Sequence, residues 1–206
     1  AIYMEPHHCD IMTFLDLAIQ QGPPEMRAHD IFIALWISDL FMKRVKEGKN
    51  WSLFCPNDAP GLDEVYGQDY EDLYQEYETA GRARKVVKAQ DLWKHITKVL
   101  SETGTPFLLS KDSCNKRSNQ KNLGTIRCSN LCVEIVQYTK PGEEIAVCNL
   151  ASIGLPAFMR EGVMDFDALY AVTKLAVRKL NSVIDVTHYP VPQAKDSNQR
   201  HRPIGL

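Results

Sequence analysis

The sequence has no apolar run that approaches the roughly 20 residues needed to cross a bilayer. Its longest, Ile31–Ile37, is soon followed by Asp39, Lys43 and Arg44. No basic start leads into an apolar stretch, so no signal peptide is expected. The formal net charge is only −2, which removes any electrostatic case for nucleic acid or an anionic membrane as partner. No P-loop, G-x-G-x-x-G or G-x-S-x-G pattern occurs, nor any internal repeat or low-complexity segment. An initiator methionine is also missing. The chain opens on Ala1-Ile2-Tyr3-Met4, like a strand already under way, and closes on Arg202-Pro203-Ile204-Gly205-Leu206, like a strand just starting. The expectation is an internal piece of a longer polypeptide.

What is present fits a globular α/β chain with a sizeable core: 206 residues, 44% hydrophobic and 24% charged. The six cysteines are Cys9, Cys55, Cys114, Cys128, Cys132 and Cys148. An even count is compatible with disulfides in a secreted protein, but the length, the ordinary core and the lack of a signal favour a reducing, cytoplasmic compartment. Four of the six crowd between positions 114 and 148, a density that asks for metal, redox or radical chemistry. A structural zinc site is one candidate. Only Cys128 and Cys132 have the close-pair spacing such sites use, however, and Cys114 and Cys148 stand alone. His7-His8-Cys9-Asp10 also looks like a ligand set. Adjacent residues point apart in regular structure, so these read instead as turn residues around a buried Cys9, and no metal site is assigned.

Periodicity predicts a strand over 1–5 and a helix over Ile11–Ile19, broken by Gly22-Pro23-Pro24. It then predicts a long, well-buried helix over 25–47, stopped by Gly48. Trp51–Gly61 reads as a loop. Residues 62–80 read as an acidic helix whose Tyr70, Tyr74 and Tyr77 share a packing face. Arg82, Arg84, Lys85 and Lys88 read as a solvated patch, and 87–102 as an amphipathic helix. Beyond Gly104-Thr105-Pro106 come strand candidates at Phe107–Leu109, Ile126–Ser129 and Ile145–Cys148. A polar run lies over Lys111–Asn122, and a helix is expected over 165–184. Helices interspersed with short apolar strands indicate an α/β fold.

The most informative stretch is Asn130-Leu131-Cys132-Val133-Glu134. In an extended loop, alternating side chains share a side, so one small molecule could meet an amide, a thiol and a carboxyl together. Cys132 can lose a proton or a hydrogen atom, Glu134 can act as a base, and Asn130 can both donate to and accept from a hydroxyl. An ordinary strand with one buried cysteine has the same spacing. Cys148, within Cys148-Asn149-Leu150-Ala151-Ser152, could carry reducing equivalents or be a buried thiol.

The longer words decide between these readings. Ala1-Ile-Tyr-Met-Glu-Pro6, Ala34-Leu-Trp36, Asp39-Leu-Phe-Met-Lys-Arg44, Trp51-Ser-Leu-Phe-Cys-Pro56 and Lys85-Val-Val-Lys-Ala-Gln90 occur in order. They are followed by Glu102-Thr-Gly-Thr-Pro106, Lys111-Asp-Ser-Cys-Asn115, Asn122-Leu-Gly-Thr-Ile-Arg-Cys-Ser-Asn-Leu-Cys-Val-Glu-Ile135, Val147-Cys-Asn-Leu-Ala-Ser152, Tyr189-Pro-Val-Pro192 and Arg200-His-Arg-Pro-Ile-Gly205. Together, over essentially the whole chain, they resemble the large, catalytic subunit of eukaryotic-type class I ribonucleotide reductases.

The resemblance implies that 1–206 is part of a ten-stranded α/β barrel, with a central finger loop carrying a radical cysteine. The amino-terminal ATP-sensing region and the carboxy-terminal part of the barrel would lie outside it. Cys132 matches the radical cysteine, Glu134 the carboxylate that takes the 3′-hydroxyl proton, and Asn130 the amide that binds the ribose hydroxyls. Cys148 matches one of two cysteines that reduce the substrate and end as a disulfide; its partner is upstream in family members. The implied substrates are ribonucleoside diphosphates. The implied partners are a small, radical-generating subunit with a metal cofactor, thioredoxin or glutaredoxin as reductant, and further copies of the parent in a homodimer or higher oligomer. No cofactor would be bound by this stretch, and ATP and deoxynucleotide effectors would bind elsewhere in the parent. The stretch alone would be inactive. Two departures stand out: family members usually have Pro-Trp-His where this chain has Pro6-His7-His8, and Thr is common where it has Val133. Neither touches the four chemical positions. A zinc-stabilised binding module and a non-catalytic, nucleotide-binding relative are the rival readings.

Overall fold

The computed structural model describes residues 1–206, which divide into two units, Ala1–Val136 and Gln137–Leu206. In the first unit β1 (Ile2–Met4), α1 (Ile11–Asp16), β2 (Ile33–Ile37), α2 (Asp39–Glu47), β3 (Asn50–Leu53), α3 (Gln68–Thr79), β4 (Lys85–Lys88), α4 (Ala89–Thr103), β5 (Phe107–Ser110) and α5 (Lys111–Arg117) follow in order. In the second, β6 (Asn149–Leu150), β7 (Met159–Arg160), β8 (Val163–Met164), α6 (Phe166–Val186), α7 (Pro192–His201) and β9 (Ile204–Gly205) do so. No helix is long and apolar enough to cross a membrane.

The first unit is built on a parallel sheet ordered β1-β2-β5. Its middle strand overturns the long helix expected over 25–47. Every residue of Ile33–Ile37 is buried, and the helix begins only at Asp39. A short apolar run buried on both faces has no period that separates strand from helix. The alternation of faces is visible in the packing. Ile33, Leu35 and Ile37 join the helix-side core with Ile11, Leu15, Phe41, Leu92, Ile96 and Val99. Trp36, on the opposite face, meets Tyr3 edge-on at 6.3 Å between ring centres. Ser38 caps α2 by accepting from Phe41 N at 3.3 Å, and Gly48 ends it in the left-handed region at φ 67°.

A second correction concerns Asn50–Leu53 and Lys85–Lys88, expected as loop and solvated patch. They form an antiparallel ladder pairing Trp51 with Val87. The lysines that flank Val86-Val87 masked a strand whose partner lies far away in sequence. Above this ladder the tyrosine stripe of α3 is buried as expected, and each hydroxyl is engaged. Tyr74 Oη donates to Ser52 O at 2.9 Å, Tyr77 Oη donates to Pro60 O at 2.7 Å, and Tyr70 Oη lies 3.0 Å from His7 Nδ1. Burying a phenol this way stabilises by its apolar area without leaving an orphaned donor.

In the second unit β6 pairs with β9 in parallel and β7 with β8 antiparallel. The strand expected at Ile145–Cys148 begins instead at Asn149, and α7 was not anticipated, because Pro192–His201 is almost wholly polar. The helix expected over 165–184 is present as α6, capped by Asp165, which accepts from Ala168 N at 3.0 Å. It exposes Phe166, Tyr170, Leu175 and Val186. The ten-stranded barrel of the resemblance is represented here by small sheets, the largest of three strands.

Candidate active site

The segment that carries Asn130, Cys132 and Glu134 leaves α5 and returns on itself. Asn115, fully buried, works as a bracket for its entry: its side chain accepts from Ile126 N at 2.7 Å and donates to Ile126 O at 2.9 Å. Further ties hold the same stretch to the Asp63-Glu64 region. Arg127 pairs with Asp63 at 2.8 Å and with Glu64 at 3.0 Å. The Thr125 hydroxyl donates to Glu64 O at 2.5 Å. Ile126 and Ile135 are buried at the two ends of the excursion. The strand expected at Ile126–Ser129 is absent, because Asn115 and not a neighbouring strand satisfies this backbone.

The loop itself closes through side chains. Asn130 Oδ1 accepts from Ile135 N at 3.0 Å, and the single proton of the Ser129 hydroxyl is shared between Ile135 O and, at 3.3 Å, Asn130 Oδ1. Between these ties the chain turns at Leu131-Cys132, and Val133 takes φ +63°. A β-branched residue in the left-handed region is strained by about 1–3 kcal/mol. The three residues therefore do not lie along an extended segment, as their alternation implied. Asn130 instead spends its carbonyl oxygen on closing the loop. Cys132 and Glu134 sit at the exposed tip. One contact joins this loop to the sheet: the Tyr3 hydroxyl donates to Asn130 O at 2.8 Å. Burial raises the Tyr3 phenol, and nearby Cys128, Glu134 and Cys114 add to the rise. Burial likewise raises the Cys114 and Cys128 thiols.

Beneath Tyr3 lies a cleft of about 390 Å³, bordered by Glu5, His7, Trp36, Leu62 and Arg127 among others. Trp36 Nε1 is buried there without a hydrogen-bond partner. A charge cluster missed by sequence reasoning flanks it. Lys111 Nζ is wholly buried. It donates to Glu5 at 2.8 and 2.9 Å and to Leu62 O at 2.7 Å, and lies 4.5 Å from the Tyr70 ring centre. Lysine and glutamate 106 positions apart give no local signal of pairing.

Cys148 belongs to the second unit, immediately before β6. The backbone there is held by buried amides: Asn149 Nδ2 donates to Asn198 Oδ1 at 2.6 Å and to Pro203 O at 2.8 Å, and Asn198 Nδ2 donates to Tyr189 Oη at 2.5 Å. All six cysteines are thiols and none is in a disulfide. The donors that do converge as a metal-ligand set are His8, Cys9 and Asp10 rather than the later thiols. The expected divergence of neighbours fails at this point because the backbone turns through Cys9 and Asp10.

The family model described as the ribonucleotide reductase barrel domain matches residues 1–206. The chain is 56% identical over 207 residues to the ribonucleoside-diphosphate reductase large subunit of Danio rerio, covering 100% of this chain and 26% of that protein. It is 56% identical over 208 residues to the large chain of Neurospora crassa, covering 22% of it, and 56% identical over 206 residues to the large subunit of Vaccinia virus, covering 27%. The chain thus spans about a quarter of the length of these curated relatives.

Proposed function

The chain belongs to the ribonucleotide reductase barrel-domain family, and on that premise we propose that its parent protein reduces ribonucleoside diphosphates to 2′-deoxyribonucleoside diphosphates in the cytoplasm. The supporting observation is the loop at 129–135. It is braced at its base by Ser129, Asn130 and Tyr3, and it leaves Cys132 and Glu134 exposed at its tip.

In this reading a sulfur radical on Cys132 takes the hydrogen atom from C3′, forming the S–H bond and leaving the radical on carbon. Glu134 accepts the 3′-hydroxyl proton. The 2′-hydroxyl takes a proton from one of two thiols, Cys148 and one elsewhere in the parent, and leaves as water. The hydrogen of the other thiol goes to C2′, the pair gives two electrons to the sugar and becomes a disulfide, and Glu134 returns its proton to the 3′ oxygen; thioredoxin or glutaredoxin reopens the disulfide by exchange. Cys132 then returns its hydrogen atom to C3′ and is regenerated as the radical. Asn130 Nδ2 donates to the ribose hydroxyls while its Oδ1 keeps the loop closed. The radical is supplied by a separate small subunit with a metal cofactor. A carbon radical survives only where solvent and competing donors are excluded, so the rest of the parent barrel covers this loop. The parent works as a homodimer or larger assembly, with its effector sites outside these residues.

The test is Cys132→Ser in the full-length protein assayed with its small subunit. Turnover should vanish while substrate affinity stays within a few-fold. Retained turnover would refute the role of Cys132.

A further inference from the structure

A second constellation lies away from this loop, at the turn between β1 and α1. One donor atom from each of His8, Cys9 and Asp10 lies within 4.8 Å of the other two. A fourth donor is brought in by the backbone. His8 and Phe54 form a parallel bridge, with Cys9 N donating to Phe54 O at 2.8 Å and Phe54 N to His7 O at 2.7 Å. Cys55 follows Phe54 and so stands beside Cys9, near enough to act electrostatically on its thiol. We propose that His8, Cys9, Asp10 and Cys55 form a binding site for one zinc-class divalent cation.

Each donor suits that ion. Zinc takes thiolate sulfur at about 2.3 Å and imidazole nitrogen or carboxylate oxygen at about 2.0–2.2 Å, usually with four ligands. Tetrahedral edges at those lengths are about 3.3–3.8 Å, against the 4.8 Å within which the donor atoms of His8, Cys9 and Asp10 lie, so these three draw closer together on binding and Cys55 completes the set from the neighbouring strand end. The mixture of sulfur, nitrogen and oxygen donors favours zinc over magnesium or calcium, which prefer oxygen only.

The surroundings also call for a cation. Three of the four donors are anionic in the bound form. Arg84, a cationic side chain near both thiols, is already held by Asp58 at 2.8 Å. Asp10 N donates to His8 Nδ1 at 3.1 Å in an exposed position, and an ion binding the imidazole takes over that lone pair and displaces this hydrogen bond. Binding would tie the β1–α1 turn to the exit of β3 and releases the thiol protons to solvent. The site does not depend on the proposed reaction.

The test is a Co²⁺ titration of the full-length protein under a phosphine reductant, followed by thiolate-to-cobalt charge-transfer absorption and competed with Zn²⁺. The wild type should show a one-equivalent component that zinc displaces. Cys9→Ser should lose that component, Cys55→Ser should lower its intensity, and Asp10→Asn, at an exposed position, should weaken binding about tenfold. Absorption unchanged by Cys9→Ser would place the metal on other thiols and overturn the proposal, as would the absence of any zinc-competed band. Unchanged affinity in Asp10→Asn together with unchanged intensity in Cys55→Ser would also overturn it. Matching circular dichroism of the metal-free variants and wild type separates lost ligation from lost folding.

Discussion

The hydroxyl of Tyr3, on the first strand of the parallel sheet, donates to the backbone carbonyl of Asn130 at 2.8 Å. That bond joins the sheet to the loop whose tip carries Cys132 and Glu134. Tyr3 in turn packs edge-on against Trp36 of the central strand, so the loop is anchored to the best-buried element of its unit.

Tyr3→Phe removes this anchor and little else. A lost hydrogen bond of this kind costs about 1 kcal/mol. Hydrogen–deuterium exchange over 129–135 should quicken by roughly fivefold, with the β1–β2 ladder unaffected. Equal protection in both proteins would show that the loop is held without Tyr3.

Val133 supplies the positive φ that turns the loop. Proline, locked near φ −65°, cannot take that conformation, whereas glycine can. On the proposed reaction, Val133→Pro should lower kcat of the full-length protein by at least about a hundredfold through misplacement of Cys132. Val133→Gly should stay within several-fold of wild type. Similar rates for the two variants would mean that loop geometry at Val133 does not govern the reaction.

Cys148→Ser should abolish multiple turnover with either a protein or a small-molecule dithiol reductant, and should leave nucleotide affinity nearly unchanged. Normal steady-state rates would remove Cys148 from the reducing pair.

The buried carboxyl of Glu5 makes a pH prediction. Burial pushes it up to about 7, against the pull of Lys111. An unfolded glutamate titrates near about 4.3, so between these values the native state binds the extra proton. The contribution to stability is therefore full below about pH 4.3 and is lost as pH rises through about 7. Glu5→Gln should flatten that part of the profile of urea midpoint against pH. Parallel profiles for variant and wild type would contradict it.

Lys111→Met asks the complementary question. At pH well above about 7, where Glu5 is ionised, it leaves a buried carboxylate without its partner, and removal of one member of a buried pair costs about 3–5 kcal/mol. The double variant with Glu5→Gln should recover most of the loss, because no uncompensated charge remains. A double variant as unstable as the single one would show that the lysine stem, and not its charge, is what the core requires.

Local signals in the sequence are legible where they are strong. Amphipathic periodicity located α3, α4 and α6, and left-handed glycine at Gly48 ended α2. The tyrosines at 70, 74 and 77 fell on one buried face. The words around Cys132 and Cys148 pointed to the family. Misreadings arose where a residue's environment is set by chain far away. Ile33–Ile37 became a strand because β1 and β5 flank it, and Lys85–Lys88 paired with β3 despite their charge.

By itself, then, the sequence determined the amphipathic helices α3, α4 and α6, which family the chain belongs to and which residue types are available for chemistry. These depend on neighbours a few positions apart and on words that stay legible in isolation. Only the tertiary structure decided that Asn130 closes its own loop onto Ile135, that Lys111 pairs with Glu5, and that Cys55 comes to stand beside Cys9. Each of these joins groups through hydrogen bonds or burial across chain separations for which a linear pattern carries no distance information, and the loop's turn at Val133 follows from those ties, not from any preference of valine.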